Sequence, residues 1–227
     1  MISTSITRIQ AIFMKDYREF SRNYAVSVMM IMPIVMAFIY KDMTIDVIEK
    51  MFFPTSIGLG MVTAFVQACL IAEEKERNTL RSLLLSPASL MDILTGKSLL
   101  VAVVSTFTLG LSYFILDFMP SIYFILALLL SIFFYAALGT ICGLFAKSTM
   151  EATFTVLPAA IIFPFGPLVM SFAERFPIFE LAKWLPSSQL FEIANGENLV
   201  SAFLIIIAWT VVAWIVAVIL CKKRMVD

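Results

Sequence analysis

Eight charged side chains fall within residues 73–97, and they are the first candidates for chemistry in a chain that offers few others. Glu73, Glu74, Lys75, Glu76 and Arg77 set both signs of charge side by side. Asn78, Thr79, Leu80 and Arg81 follow, then Leu83, Leu84 and Leu85, and Ser86-Pro87. Mixed charge on a short segment suits recognition of a partner surface, where it gives orientation and selectivity more than affinity. Leu80, Leu83, Leu84 and Leu85 would be the apolar anchors. The alternative is a solvated loop with an interfacial leucine patch. Ser86-Pro87 reads as the start of the next helix, with serine as cap and proline in its first turn.

Catalytic chemistry is poorly served. The chain has no histidine, which removes the commonest general base and a common metal ligand. Cys69, Cys142 and Cys221 lie far apart within or at the ends of apolar runs. They read as small apolar fillers, without metal spacing or a disulfide framework. Gly96-Lys97-Ser98 resembles the end of a phosphate-binding loop, but Met91 stands where that loop needs a glycine. The tripeptide is expected to be a helix end before the next apolar run. An intramembrane enzyme would need a buried acid–base pair, and none is visible.

The elements that position these residues are apolar. Of 227 residues 61% are hydrophobic and 14% charged, and mean hydropathy is +0.99; soluble domains are about 45–50% apolar and about 25% charged. The expected fold class is an all-α polytopic membrane protein, one transmembrane domain over 1–227. Six runs approach the ~20 residues needed to cross the hydrocarbon: 24–40, 53–72, 98–116, 121–146, 152–172 and 199–221. Net charge is zero, so no nucleic-acid footprint appears. Twelve of the 16 basic residues fall in the N-terminus, the 73–97 segment, the turn at Lys147 and the tail, against four in the other loops. That bias predicts cytoplasmic termini and a cytoplasmic 73–97 segment in the cell membrane. It also puts the three cysteines near a reducing side.

Residues 1–23 lack the apolar core and cleavage site of a signal peptide. Ile2, Ile6, Ile9, Phe13, Tyr17 and Phe20 recur at helical spacing, predicting an amphipathic interfacial helix. A plain topogenic leader is the alternative.

The runs hold few polar groups and no relay of ionisable ones, so energy for any transport must come from elsewhere. Thr63, Gln67, Thr153 and Thr155 are the strongest polar groups inside. Ser56, Gly60, Ala64, Ala68 and Ala72 form a small-residue ridge, matched by Gly139 and Gly143. The ridge serves close packing, a dimer seam or a movable wall. The fifth run is interrupted by Pro158, Pro164 and Pro167. Residues 173–198 are too apolar for a free loop and too short and charged for another span. Short re-entrant helices fit, either as an external gate or as an anchor built on Trp184.

The run Glu73-Glu-Lys-Glu-Arg-Asn-Thr-Leu-Arg-Ser-Leu-Leu-Leu-Ser-Pro87, the later Gly96-Lys97, and Trp184-Leu-Pro-Ser-Ser-Gln-Leu-Phe-Glu-Ile193 resemble the permease subunits of ABC type-2 exporters. With the six-span layout, the resemblance covers almost the whole chain. Asn78 replaces the usual glycine and Arg81 a common acidic residue, departures that bear on partner choice. The resemblance implies that the 73–97 segment is a coupling helix docking on a separate ATPase subunit through Glu73, Glu74, Lys75, Glu76, Arg77, Asn78, Thr79, Leu80, Arg81 and Leu84. The N-terminal helix would pack beside it. Two permeases, identical or paralogous, would join two ATPases, which would hold ATP and magnesium; this chain would bind no cofactor. Spans 2 and 5 would face the translocation path, with Ser56, Gly60, Thr63, Ala64, Gln67, Thr153 and Thr155 lining it or close-packing. Pro164, Gly166, Pro167, Trp184 and Pro186 would form an external gate. The substrate would be hydrophobic or amphipathic, an amphipathic peptide such as a toxin or bacteriocin first, a drug-like or lipid-linked molecule next. A non-transporting membrane assembly scaffold is the rival.

Overall fold

The computed structural model describes residues 2–21, 24–77 and 89–224. The regular elements among them are all helices: α1 (Ile2–Phe20), α2 (Tyr24–Lys41), α3 (Val47–Glu76), α4 (Leu90–Ile115), α5 (Ile122–Phe145), α6 (Thr149–Ile162), α7 (Gly166–Met170), a 3-10 helix (Pro177–Trp184), α8 (Pro186–Ala194) and α9 (Leu199–Arg224). Four of them, α3, α4, α5 and α9, are long and apolar enough to cross a membrane, and shorter apolar helices cover Val28–Lys41 and Thr149–Ile162.

Local sequence sets the boundaries. Asp46 caps α3 by accepting from the Ile48 N–H at 3.2 Å. α4 starts on a reciprocal capping box in which Ser89 and Asp92 satisfy each other's backbone N–H groups. Ser121 and Ser148 cap α5 and α6. The start expected at Ser86-Pro87 is therefore Ser89 for this helix; Ser86 and Pro87 lie outside the described residues. Gly96-Lys97 is also not a helix end. It lies inside α4, because the capping box carries the helix back past the charged residues.

α3 is central. Of its most apolar window 89% is buried, against 17% for α9 on the periphery. It extends beyond the apolar run 53–72 at both ends, so Glu73–Glu76 continue its last turn. Gly58–Phe65 forms a π-helical stretch just after Pro54. There the Thr63 hydroxyl lies 3.2 Å from the Gly58 carbonyl oxygen, five residues back along the same stretch. The small-residue ridge works within the chain. A Cβ on Gly139 would strike the Ala64 carbonyl oxygen, and one on Gly60 the Ala160 carbonyl oxygen. α5 and α6 thus lie against the α3 backbone at closest range.

Candidate functional site

The charged residues gather where α1, α3 and α4 meet. Lys97 Nζ lies 3.0 and 3.2 Å from the two Asp16 carboxylate oxygens and 3.0 Å from Glu74 Oε1. Lys97, Asp16 and Glu74 are 1%, 0% and 3% exposed. Lys15 also pairs with Glu74. Around this core, Arg77 pairs with Glu73 at 2.6 Å and Glu19 at 3.5 Å, and Asp92 receives Arg8 and Ser5. Two ammonium groups balance two carboxylates at the centre, the condition for tolerating buried charge.

Gly96 makes this possible. A Cβ there would come within 2.9 Å of Ile12, so α1 can lie on α4 only where the side chain is missing. Lys97, the next residue, then reaches Asp16. The inward stripe of α1 is Ile12, Asp16 and Phe20, turned from the stripe expected from its apolar residues. Ile6 and Tyr17 are half-exposed on the other flank. The helix has a wide apolar surface, one part on protein and one part outward. Asp16 does not stand out in the sequence; its signal is a lone acid midway between Ile12 and Phe20, a turn from each.

Burial is the strongest influence on Asp16 and holds its carboxyl above the usual range, with Lys97 pulling the other way. Burial works against the Lys15 charge too, but its hydrogen bond to Glu74 and the nearby carboxylates outweigh it and raise the ammonium. Asp16, Glu19 and Glu74 bring carboxylate oxygens within 4.8 Å of one another, the spacing of a cation site. Lys97 and Lys15 already stand among them, so the group is an ion-paired junction.

The rest of the segment's described half also touches its own chain. Lys75 Nζ donates to the carbonyls of Leu144, at 2.8 Å, and Ala146 at the end of α5. Glu76 accepts from the Thr149 N–H at 2.9 Å and hydroxyl at 3.0 Å. Arg77 is the more exposed of these, at 57% of its side chain. Asn78, Thr79, Leu80, Arg81 and Leu84 lie outside the described residues.

Ser56, Gly60, Thr63, Ala64 and Gln67 are buried inside the chain. Thr63 donates to Ser105 at 2.8 Å and Gln67 to Thr140 at 3.0 Å, so this group packs α3 against α4 and α5. Thr153 and Thr155 on α6 are half-buried and bond back to their own helix at Thr149 and Glu151.

At the opposite end, the break between α6 and α7 falls at Pro164. Pro158 stays within α6, and Pro167 sits in the first turn of α7. Broken winding leaves carbonyls over, and hydroxyls take them. Ser56 donates to the Pro164 carbonyl at 2.9 Å and Ser187 to the Phe163 carbonyl at 2.5 Å, while the Gly166 N–H donates to Ser187 at 3.2 Å. Pro186 is buried at the start of α8. Trp184 is 56% exposed, its carbonyl accepting from Trp209 at 2.7 Å. The expected gate residues thus share one junction of α3, α7 and α8, except Trp184 at its rim.

The family profile of ABC-2 type transporters matches residues 7–165, and the chain belongs to that family. The matched range holds most of α1, the Asp16–Glu74–Lys97 cluster and the break at Pro164. Comparison with curated proteins gives no match. Family and apolar helices together define a multi-pass membrane protein, a transport component rather than a catalytic domain, associating with an ABC ATPase subunit.

Proposed function

We propose that the chain is the permease of an ATP-driven exporter that moves a hydrophobic or amphipathic molecule, an amphipathic peptide in the first instance, out of the cell. In this reading the two shorter apolar helices complete six spans, both termini are cytoplasmic, and a second permease, identical by preference, and two ATPases holding ATP and magnesium complete the machine. The observation that carries it is the ion-paired junction. The segment 78–88 leaves α3 after Arg77 and rejoins at the start of α4, and α1 is tied by charge to both helices. A push on that segment is delivered to α1, α3 and α4 as one body. α7, the 3-10 helix and α8 then form the outer gate.

The test is co-purification with an ABC ATPase from the same cells, followed by ATP hydrolysis with candidate substrates. The chain should retain the ATPase, and Arg77→Glu should lower the recovered amount several-fold. Arg77 is preferred to Glu74, whose reversal would break the buried pairs first. Recovery of a non-ATPase partner alone, with no substrate stimulating hydrolysis, would favour the scaffold.

A further inference from the structure

We propose that the hollow between the start of α3 and the α7–α8 pair is a binding site for hydrophobic organic cations. It is an open hollow of about 630 Å³, within the usual range for small-molecule sites of about 300–1,000 Å³. Its walls carry the rings of Tyr40, Phe52, Phe53 and Phe191, and the carboxylates of Asp46 and Glu49. The rings are already assembled: Tyr40 stacks on Phe53 at 5.3 Å, and Phe52 lies 5.0 Å from Phe53 and 5.2 Å from Phe191. Ring faces attract cations within about 6 Å, the more so when desolvated, and the rings also offer an apolar body its contact area.

The carboxylates have one ordinary task, which leaves charge over. Asp46 caps α3, and both acids stand at that helix's positive end. A helix end is equivalent to about half an elementary charge, so two carboxylates leave the hollow negative. Lys50, one residue beyond Glu49, donates to the Lys41 carbonyl at 2.9 Å, and neither Asp46 nor Glu49 is in a salt bridge among the described residues. Among the described residues, no basic side chain lines the hollow. The segments expected outside carry eight acidic and four basic residues, which adds an attractive field for cations. A neutral amphiphile would forgo these charges and an anion would be repelled.

This narrows the substrate class of the exporter reading and rests on it only for the step of transport. The full chain in phosphatidylcholine nanodiscs, without ATPase, would be titrated with tetraphenylphosphonium, with empty nanodiscs subtracted. Saturable binding is expected, weakened at least tenfold by Asp46→Asn with Glu49→Gln and several-fold by Phe52→Leu; tetraphenylborate should not compete. Asparagine also caps helices, so the double variant keeps the start of α3. Uptake equal to that of empty nanodiscs, equal binding of the borate, or an unchanged affinity in both variants overturns the site. With the ATPase present, phosphonium bound but not moved removes the exporter reading and leaves the site. Transport indifferent to both variants removes the site and leaves the exporter.

Discussion

The two ends of α3 are held by different chemistry. At Glu74 the contacts are between full charges on three helices, buried and matched in number. At Ser56 they are hydroxyls on backbone carbonyls, ringed by aromatics. A charge junction has one arrangement that satisfies it, and removing one member strands the others. A hydroxyl–carbonyl junction is a set of modest bonds, each replaceable. The first suits a body that must transmit displacement without slipping, the second a segment that must loosen and re-form.

The largest expected effect breaks the charged end. Lys97→Met strands Asp16 and leaves Glu74 to Lys15 alone, and should cost about 3–5 kcal/mol, the scale for an unpaired buried charge. Thermal unfolding of the full chain in detergent reads it. Next is Gly96→Val, which drives a side chain into Ile12 and should cost about 1–3 kcal/mol by overpacking. It should also raise thiol labelling of a cysteine placed at Ile12. Ser187→Ala leaves the Phe163 carbonyl without its donor and should cost about 1–3 kcal/mol, with recovery of the ATPase unchanged. If Ser187→Ala abolished ATPase recovery while Lys97→Met spared it, the division of labour between the ends would be reversed.

The smallest effect sharpens the charged end by pH. The Asp16 carboxyl is raised in the fold, so its protonated form is the better tolerated. Its contribution is greatest below about pH 4, the ordinary aspartate range, and declines as pH rises through the raised value. Asp16→Asn should remove that decline, and unfolding at several pH values compares the two slopes. Parallel slopes would mean that Asp16 is not buried as described.

How much of this was legible follows from physical range. Helices written in apolar runs, the break at Pro164, and the small-residue ridge are local, and periodicity and backbone sterics carry them. The ion-paired junction is not local. Asp16 and Lys97 are 81 positions apart, and nothing in either neighbourhood says which acid meets which base. From the sequence alone Gly96-Lys97 reads as a helix end, because a long apolar run begins at the next residue. The capping box at Ser89 and Asp92 overrides that by starting the helix earlier. The turned stripe of α1 has a related cause: a helix with apolar residues over a wide arc does not declare which part meets protein. The aromatic hollow was equally hidden, since Tyr40, Phe52, Phe53 and Phe191 come from three separate segments.

The central claim is that α1 is locked to α3 and α4 through Asp16 and Lys97. A double-mutant cycle of Asp16→Leu and Lys97→Met, read by unfolding of the full chain, tests it most directly. An apolar pair can replace a buried ion pair at little cost, so the double variant should recover most of what Lys97→Met loses, with a coupling of about 2 kcal/mol or more. Losses that add to within about 0.5 kcal/mol, the behaviour of independent sites, would contradict the junction.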